Sequence, residues 1–166
     1  MFNLLKSKSQ TPKSLGQLGE ELAQIEYKNR GYKIVAANFF NKKGKRLGEL
    51  DFVAINNGQI IFVEVKTRSQ EKSYFGSAAE SVNYFKQQKL LKAVKIFLLA
   101  NQKYINLKPQ IDVCVIIIKD FSQFEVLQEN NQTKYLPKLP LDKLLYSVTI
   151  IPDAVEDYSK MHRFHG

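Results

Sequence analysis

The 166-residue sequence has one cysteine, two histidines and no apolar run long enough to cross a bilayer. Each scarcity excludes something. Cys114 alone cannot close an internal disulfide, and its setting in "VCVIII" is that of a small buried hydrophobe, not of a reactive thiol. His162 and His165 have a spacing able to hold a metal on a helix, but they fall in the closing "MHRFHG", a frayed tail. A membrane span needs about 18 apolar residues, and "MFNLLKSKSQTPKS" carries too short an apolar stretch for a signal peptide, so a cytoplasmic protein without a membrane partner is expected. Acidic side chains are also scarce. Sixteen Asp and Glu stand against 25 Lys and Arg, a formal charge of +9 that calls for a polyanionic partner, nucleic acid before an anionic surface.

The length suits one domain, expected over 14–158 with tails at 1–13 and 159–166. Ser14 followed by Gln17 is a capping-box pattern opening a helix, and Gly31 suits its left-handed C-terminal cap. Within that helix Leu15, Leu18, Leu22 and Ile25 form an apolar stripe. A second stripe of Gly16, Glu20, Ala23 and Tyr27 has small residues that would let a neighbouring element approach, with Glu20 carried among them. Three antiparallel strands are expected next: "YKIVAANFF", then 47–55 and 59–66 joined through Asn56-Asn57-Gly58. Residues 79–100 read as an amphipathic helix with Leu90, Ala93, Val94, Phe97 and Leu98 inward and lysines on the other side. A loop carrying Gly76 precedes it. Residues 110–119, apolar on both faces, read as a buried strand pairing in parallel after that crossover. The expected class is α/β, in the order α-β-β-β-α-β with a mixed central sheet flanked by helices. Residues 120–147, rich in Asn, Lys and Pro, show no sustained period and read as irregular, with a short strand and turn at most.

Four charged residues interrupt the two central strands: Glu49, Asp51, Glu64 and Lys66. Alternation places Phe62, Glu64 and Lys66 on one face of the third strand, with Ile61, Val63 and Val65 on the other. The Cα atoms of Glu64 and Lys66 are then roughly 6.6 Å apart, within reach of one ion or water. In the preceding strand Asp51 shares a face with Glu49, Val53 and Ile55, opposite Leu50, and the hairpin brings Asp51 beside Glu64. Two adjacent carboxylates repel, and burying them costs several kcal/mol unless a counter-charge is present. A hard divalent cation such as Mg²⁺ resolves the conflict with few protein ligands, whereas zinc would want His or Cys that this region lacks. Lys66 is placed to orient or deprotonate an attacking water and to offset charge developing on a phosphate. The competing reading, an exposed Glu64/Lys66 pair worth ~0.2 to 1 kcal/mol, has equal standing on spacing alone.

The motif "GELD…FVEVKTR" resembles the core of the PD-(D/E)XK nucleases. "GQLGEELAQIEYKNRGYKIVAANF", "GELDFVAINNGQIIFVEVKTRS", "FGSAAESVNYFKQQKLLKAVKIFL", "IDVCVI" and "TIIPDAVEDY" together resemble the bacterial YraN-like family from about Leu15 to Tyr158. The resemblance implies a restriction-endonuclease-like fold related to archaeal Holliday-junction resolvases. It implies a Mg²⁺- or Mn²⁺-dependent endonuclease in which Asp51 and Glu64 bind metal, Val65 lends its backbone carbonyl, Lys66 is the catalytic lysine and Glu20 approaches the metal from the first helix. The family usually has Arg-Phe-Asp-Val where this chain has Gln110-Ile111-Asp112-Val113, so any role of that arginine is absent or displaced.

Lys42, Lys43, Lys45 and Arg46 in the hairpin loop, Arg68 beyond the third strand, and Lys86 and Lys89 on the outer side of the second helix are the candidate phosphate contacts. Phe39, Phe40, Tyr74 and Phe75 read as core or loop anchors before stacking platforms. DNA, branched by analogy with resolvases, is the expected partner, RNA is left open, and double-strand cutting would imply a homodimer. The alternative is a non-catalytic nucleic-acid-binding module on a nuclease scaffold.

Overall fold

The computed structural model describes residues 11–40, 49–69 and 84–155. Helix α1, Leu15–Asn29, starts at a closed capping box: the Gln17 amide donates to Ser14 Oγ (3.2 Å) and the Ser14 amide to Gln17 Oε1 (2.9 Å). It stops at Gly31, whose φ of +85° takes the left-handed conformation that costs glycine least. Strands β1 (Lys33–Phe40), β2 (Glu49–Asn56) and β3 (Gln59–Ser69) then form the expected antiparallel meander. Asn56 pairs with Gln59 around Asn57 (φ +45°) and Gly58 (φ +80°), the two positive φ values of a type I′ turn.

Helix α2, Tyr84–Ala100, leads to β4, Lys108–Ile118, which pairs in parallel with β3 from Gln59↔Lys108 to Ser69↔Ile118. The core therefore has the α-β-β-β-α-β order and mixed sheet that the sequence predicts, the arrangement of a restriction-endonuclease-like core. The two helices cover opposite faces. Leu18, Leu22, Ala23 and Tyr27 of α1 pack with Phe52, Ala54, Ile61 and Val63. On the other face Leu90, Ala93, Val94, Phe97 and Leu98 of α2, the five that periodicity selects, pack with Val53, Ile60, Phe62 and Val113. Phe39 meets Phe97 edge to face, ring centroids 5.1 Å apart, as a core anchor. No helix among the described residues is long and apolar enough to cross a membrane.

The region expected to be irregular is more ordered than its composition implies. Strands β5 (Phe124–Glu129) and β6 (Gln132–Pro137) form a complete hairpin, and β7 (Tyr146–Ile151) adds antiparallel to β4, giving the sheet order β1-β2-β3-β4-β7. The reason is local. Asn130 (φ +49°) and Asn131 (φ +60°) supply a second type I′ turn, because asparagine tolerates the left-handed region. Phe124 then reaches the α1-side core, and the Lys13 backbone pairs with Tyr135 at the free edge of β6.

Of the expected stripe, Ala23 and Tyr27 are buried against the sheet, but the glycine that lets α1 come down onto it is Gly19 and not Gly16. A Cβ on Gly19 would sit 1.8 Å from Thr67 Oγ1 and 2.9 Å from its Cγ2, whereas one on Gly16 would meet only Ser14 Oγ at 4.0 Å. Gly19→Ala should therefore destabilise the fold by roughly 1 to 3 kcal/mol in urea unfolding, and by less in a Thr67→Ala background, which removes two of the clashing atoms. Wild-type stability in Gly19→Ala would contradict this contact.

Candidate active site

Pairing between β2 and β3 ends at Phe52↔Val63, while β1–β2 pairing continues to Phe40↔Glu49 and β3–β4 pairing to Ser69↔Ile118. Past Val63 the sheet splits into a fork with β2 on one side and β3 on the other. The Val65 amide, having lost a ladder partner, donates instead to Asp51 Oδ2 at 2.6 Å. A strand residue's N–H and C=O lie on the same edge, so the Val65 carbonyl opens into the fork beside Asp51. Leu50 departs from the expected alternation: it packs on the α2 side with Val53 and Phe39, and the break falls between the pairs Ala37↔Phe52 and Phe39↔Leu50, where Asn38 of β1 takes a positive φ of +50°. Asp51 is thereby aimed at the β3 edge.

On β3, alternation holds. Val65 packs toward α1, and Glu64 and Lys66 face α2. Glu64 is buried, 7% exposed, and its Oε1 accepts from Lys66 Nζ at 2.6 Å and from Lys86 Nζ. This disposes of the exposed-pair reading. It also revises the place of Lys86, which is half-buried and turned onto Glu64 instead of lying free on the outer face of α2.

The electrostatics follow from crowding and burial. Burial first, then the charge of Glu64, raises the Asp51 carboxyl from its ordinary 3.8 to about 7; Glu20 adds to the rise, and the Val65 amide and Lys66 oppose it. Burial lowers the Lys66 ammonium below its ordinary range against the pull of Glu64, and Lys86 pushes the same way. Lys86 moves up, since its bonds within this cluster outweigh its own burial. Glu20 is half-buried and lines a cleft of about 290 Å³ with Gly16, Val65, Lys66 and Arg68. It stands beside the carboxylate pair and does not complete a set of three: no group of three His, Cys, Asp or Glu able to hold a metal occurs among the described residues.

The donor set nonetheless suits Mg²⁺ or Mn²⁺, which take few protein oxygens and keep several waters. The hydrogen bonds to the Val65 amide and to the two lysines use Asp51 Oδ2 and Glu64 Oε1, and the other oxygen of each carboxylate would be the one offered to an ion. Arg68 and Lys89 are exposed, Lys89 one turn beyond Lys86. Lys42, Lys43, Lys45, Arg46, Tyr74, Phe75, Gly76, the 79–83 start of the second helix, His162 and His165 lie outside the described residues, as does the side chain of Phe40. Cys114 is buried with its thiol pushed up to about 12 by burial, an inert core position.

One buried carboxylate went unassigned in the sequence. Asp112 Oδ2 accepts from the Tyr27 hydroxyl (2.8 Å), and its Oδ1 accepts from Gln110 Nε2 (2.7 Å) and the Asp153 amide (3.2 Å). It ties α1, β4 and the chain just after β7 together, with Gln110 of its own strand among the donors.

The Asp51 shift has a sign that can be checked. A carboxyl whose value is raised on folding binds its proton more tightly in the folded chain, so its contribution to stability is present at low pH and lost as pH rises from 3.8 through about 7. In chelator, Asp51→Asn keeps an acceptor for the Val65 amide and removes the repelled charge. It should melt above wild type at pH 8, by roughly 1 to 3 kcal/mol, with the gap shrinking toward pH 5. A variant no more stable than wild type at pH 8 would contradict the assignment.

Known proteins resemble this chain over the part that carries these residues. The model of the uncharacterised protein family UPF0102 matches residues 19–116, a span that holds Glu20, Asp51, Glu64, Val65 and Lys66. A UPF0102 protein of Alkaliphilus oremlandii is 44% identical over 90 residues, 54% of this chain and 72% of the relative. A second, from Caldanaerobacter subterraneus, is 35% identical over 106 residues, 64% of this chain and 81% of its own. A third, from Syntrophomonas wolfei, is 39% identical over 110 residues, 65% and 88% of the two chains. The YraN-like expectation is met, and the chain belongs to the uncharacterised protein family UPF0102.

Proposed function

We propose that the fork is the active site of a metal-dependent endonuclease that hydrolyses phosphodiester bonds in DNA. The observation that carries this reading is the Asp51–Glu64 pair: buried Glu64, bonded by Lys66, and half-buried Asp51, bonded by the Val65 amide, are set at the same fork, and burial with the neighbouring charge pushes the Asp51 carboxyl up to about 7. Capping the Val65 amide accounts for an acceptor at Asp51 but not for a second carboxylate beside it, and pairs of this kind concentrate where chemistry is done.

Asp51 and Glu64, with the Val65 carbonyl, would hold Mg²⁺ or Mn²⁺, and Glu20 would add negative charge from α1. The ion, when bound, polarises a phosphoryl oxygen and acidifies water. Lys66, its ammonium depressed by burial, is suited to pass a proton to or from the attacking water, and in its charged form it offsets the developing phosphorane. Lys86 compensates Glu64 and fixes the first described turn of α2 against β3. The formal charge of +9 favours the polyanion, with Arg68 and Lys89 as backbone contacts flanking the cut.

The test is cleavage of labelled linear duplex, single-stranded, flap and four-way-junction DNA in Mg²⁺ or Mn²⁺. Wild type should cut at least one of them, and Glu64→Ala and Lys66→Ala should each lower the rate on the order of 100-fold or more at wild-type DNA affinity. DNA binding by wild type with no cutting on any substrate would replace this reading with a binding module.

A further inference from the structure

The cleft at Glu20 and Lys66 does not end there. It shares Leu15, Thr67 and Arg68 with a second cleft of about 690 Å³, whose far wall is Phe121, Val126 and Tyr135. We infer that this groove seats the unpaired DNA strand flanking the scissile phosphate, with Arg68 on its backbone and the β5–β6 hairpin as the platform for a base. The inference rests on the hydrolytic reading of the fork and adds to it a substrate class: DNA with a single-stranded arm at the cut.

Three features favour this occupant. First, the groove is continuous with the fork. Lys66, Thr67 and Arg68 all line the first cleft and Thr67 and Arg68 the second as well, so a strand leaving the fork along this edge of β3 meets Arg68, and a guanidinium is the side chain that grips phosphate in two-point fashion.

Second, the hairpin presents its neutral face to the groove. Val126 pairs with Tyr135 and Gln128 with Thr133 on that face. The acidic Glu125 and Glu129 alternate onto the other, opposite Leu136 and Gln132, and so do not repel a phosphate chain. Third, the wall is aromatic and in part unsatisfied. Tyr135 and Phe121 stand 5.6 Å apart between ring centroids, and Val126 is 51% exposed although it lies on the face of the hairpin that packs. Sequence-tolerant binding of single strands combines such a platform with a cationic track, whereas a blunt duplex keeps its bases stacked inside. The volume lies within the roughly 300 to 1,000 Å³ of sites for small organic groups, large enough for a base with its sugar. The hairpin lies beyond residues 19–116 that match the family, so this wall belongs to a part of the chain outside that span.

The experiment is fluorescence-polarisation titration of the full chain, in chelator, with a blunt duplex and with the same duplex carrying a single-stranded arm. Val126→Asp and Val126→Lys change the same exposed position with opposite charge. Val126→Asp should weaken binding of the armed duplex at least tenfold while changing the blunt duplex less than twofold, and Val126→Lys should bind the armed duplex as tightly as wild type or more tightly. Arg68→Ala should weaken binding of the armed duplex as well, by at least tenfold.

Equal loss in both Val126 variants, or affinities within twofold of wild type for both, would overturn the inference. So would selective tightening of the armed duplex on deletion of residues 1–10, which would show that the chain's own N-terminal segment fills the groove. Because binding is read without metal, the two claims separate. Selective loss in Val126→Asp with a wild type that never cuts keeps the groove and removes the hydrolase. Cutting by wild type with Val126→Asp unimpaired does the reverse.

Discussion

The hydrogen bond from the Val65 amide to Asp51 Oδ2 is the contact on which the rest of the site depends. Where β2 parts from β3, the amide of Val65 would be left without a ladder partner, and a buried orphan amide is costly. Asp51 supplies the partner from its side chain instead of its backbone. That substitution lets the sheet split while its core side remains paired, and it fixes a carboxylate at the edge of a strand whose next-door residues are Glu64 and Lys66. The same step brings like charges together, because the register that places Asp51 against Val65 also places it against Glu64.

The surrounding charges are graded. Glu64 is compensated twice, by Lys66 and Lys86, and Asp51 is compensated weakly, so the local excess of negative potential is concentrated on Asp51. Glu20 adds to it from the opposite helix layer. A cation introduced at this point would relieve the repulsion on Asp51 without requiring the two lysines to leave. The frame that carries these groups is stiff. β3 is paired with β4 along its full length and covered by a helix on each face, and Gly19 lets α1 come down onto Thr67, next to Lys66. Functional groups on such a strand are held by the core itself and not by loops.

Much of this was legible in the sequence because local chemistry and global fold agree. Ser14 and Gln17 predict a cap that forms; Asn57-Gly58 predicts a turn that forms; the α2 stripe from Leu90 to Leu98 is the buried one. The doubly apolar β4 reads as parallel and buried, and it is. The failures have equally specific causes. Asn130-Asn131 is the same type I′ chemistry as Asn57-Gly58, but with no glycine and with exposed, polar strands on either side its hairpin gives no periodic signal. Lys86 looks like one more solvated lysine on a basic helix face, and only the tertiary approach of α2 to β3 turns it onto Glu64. The break in alternation at Leu50 falls beside Asn38 of the neighbouring strand, whose positive φ no strand pattern encodes. Asp112 was visible only as an acid in an apolar run, and its three donors come from α1, from its own strand and from the chain after β7.

Calorimetric titration of the full chain with Mn²⁺ at pH 8 tests whether the fork's carboxylates hold a divalent cation. One ion per chain is expected, with an affinity that falls as pH drops below about 7, where Asp51 takes up its proton, and with loss of binding in Asp51→Asn. Absence of binding by wild type, or equal binding by Asp51→Asn, would contradict a cation site at the fork.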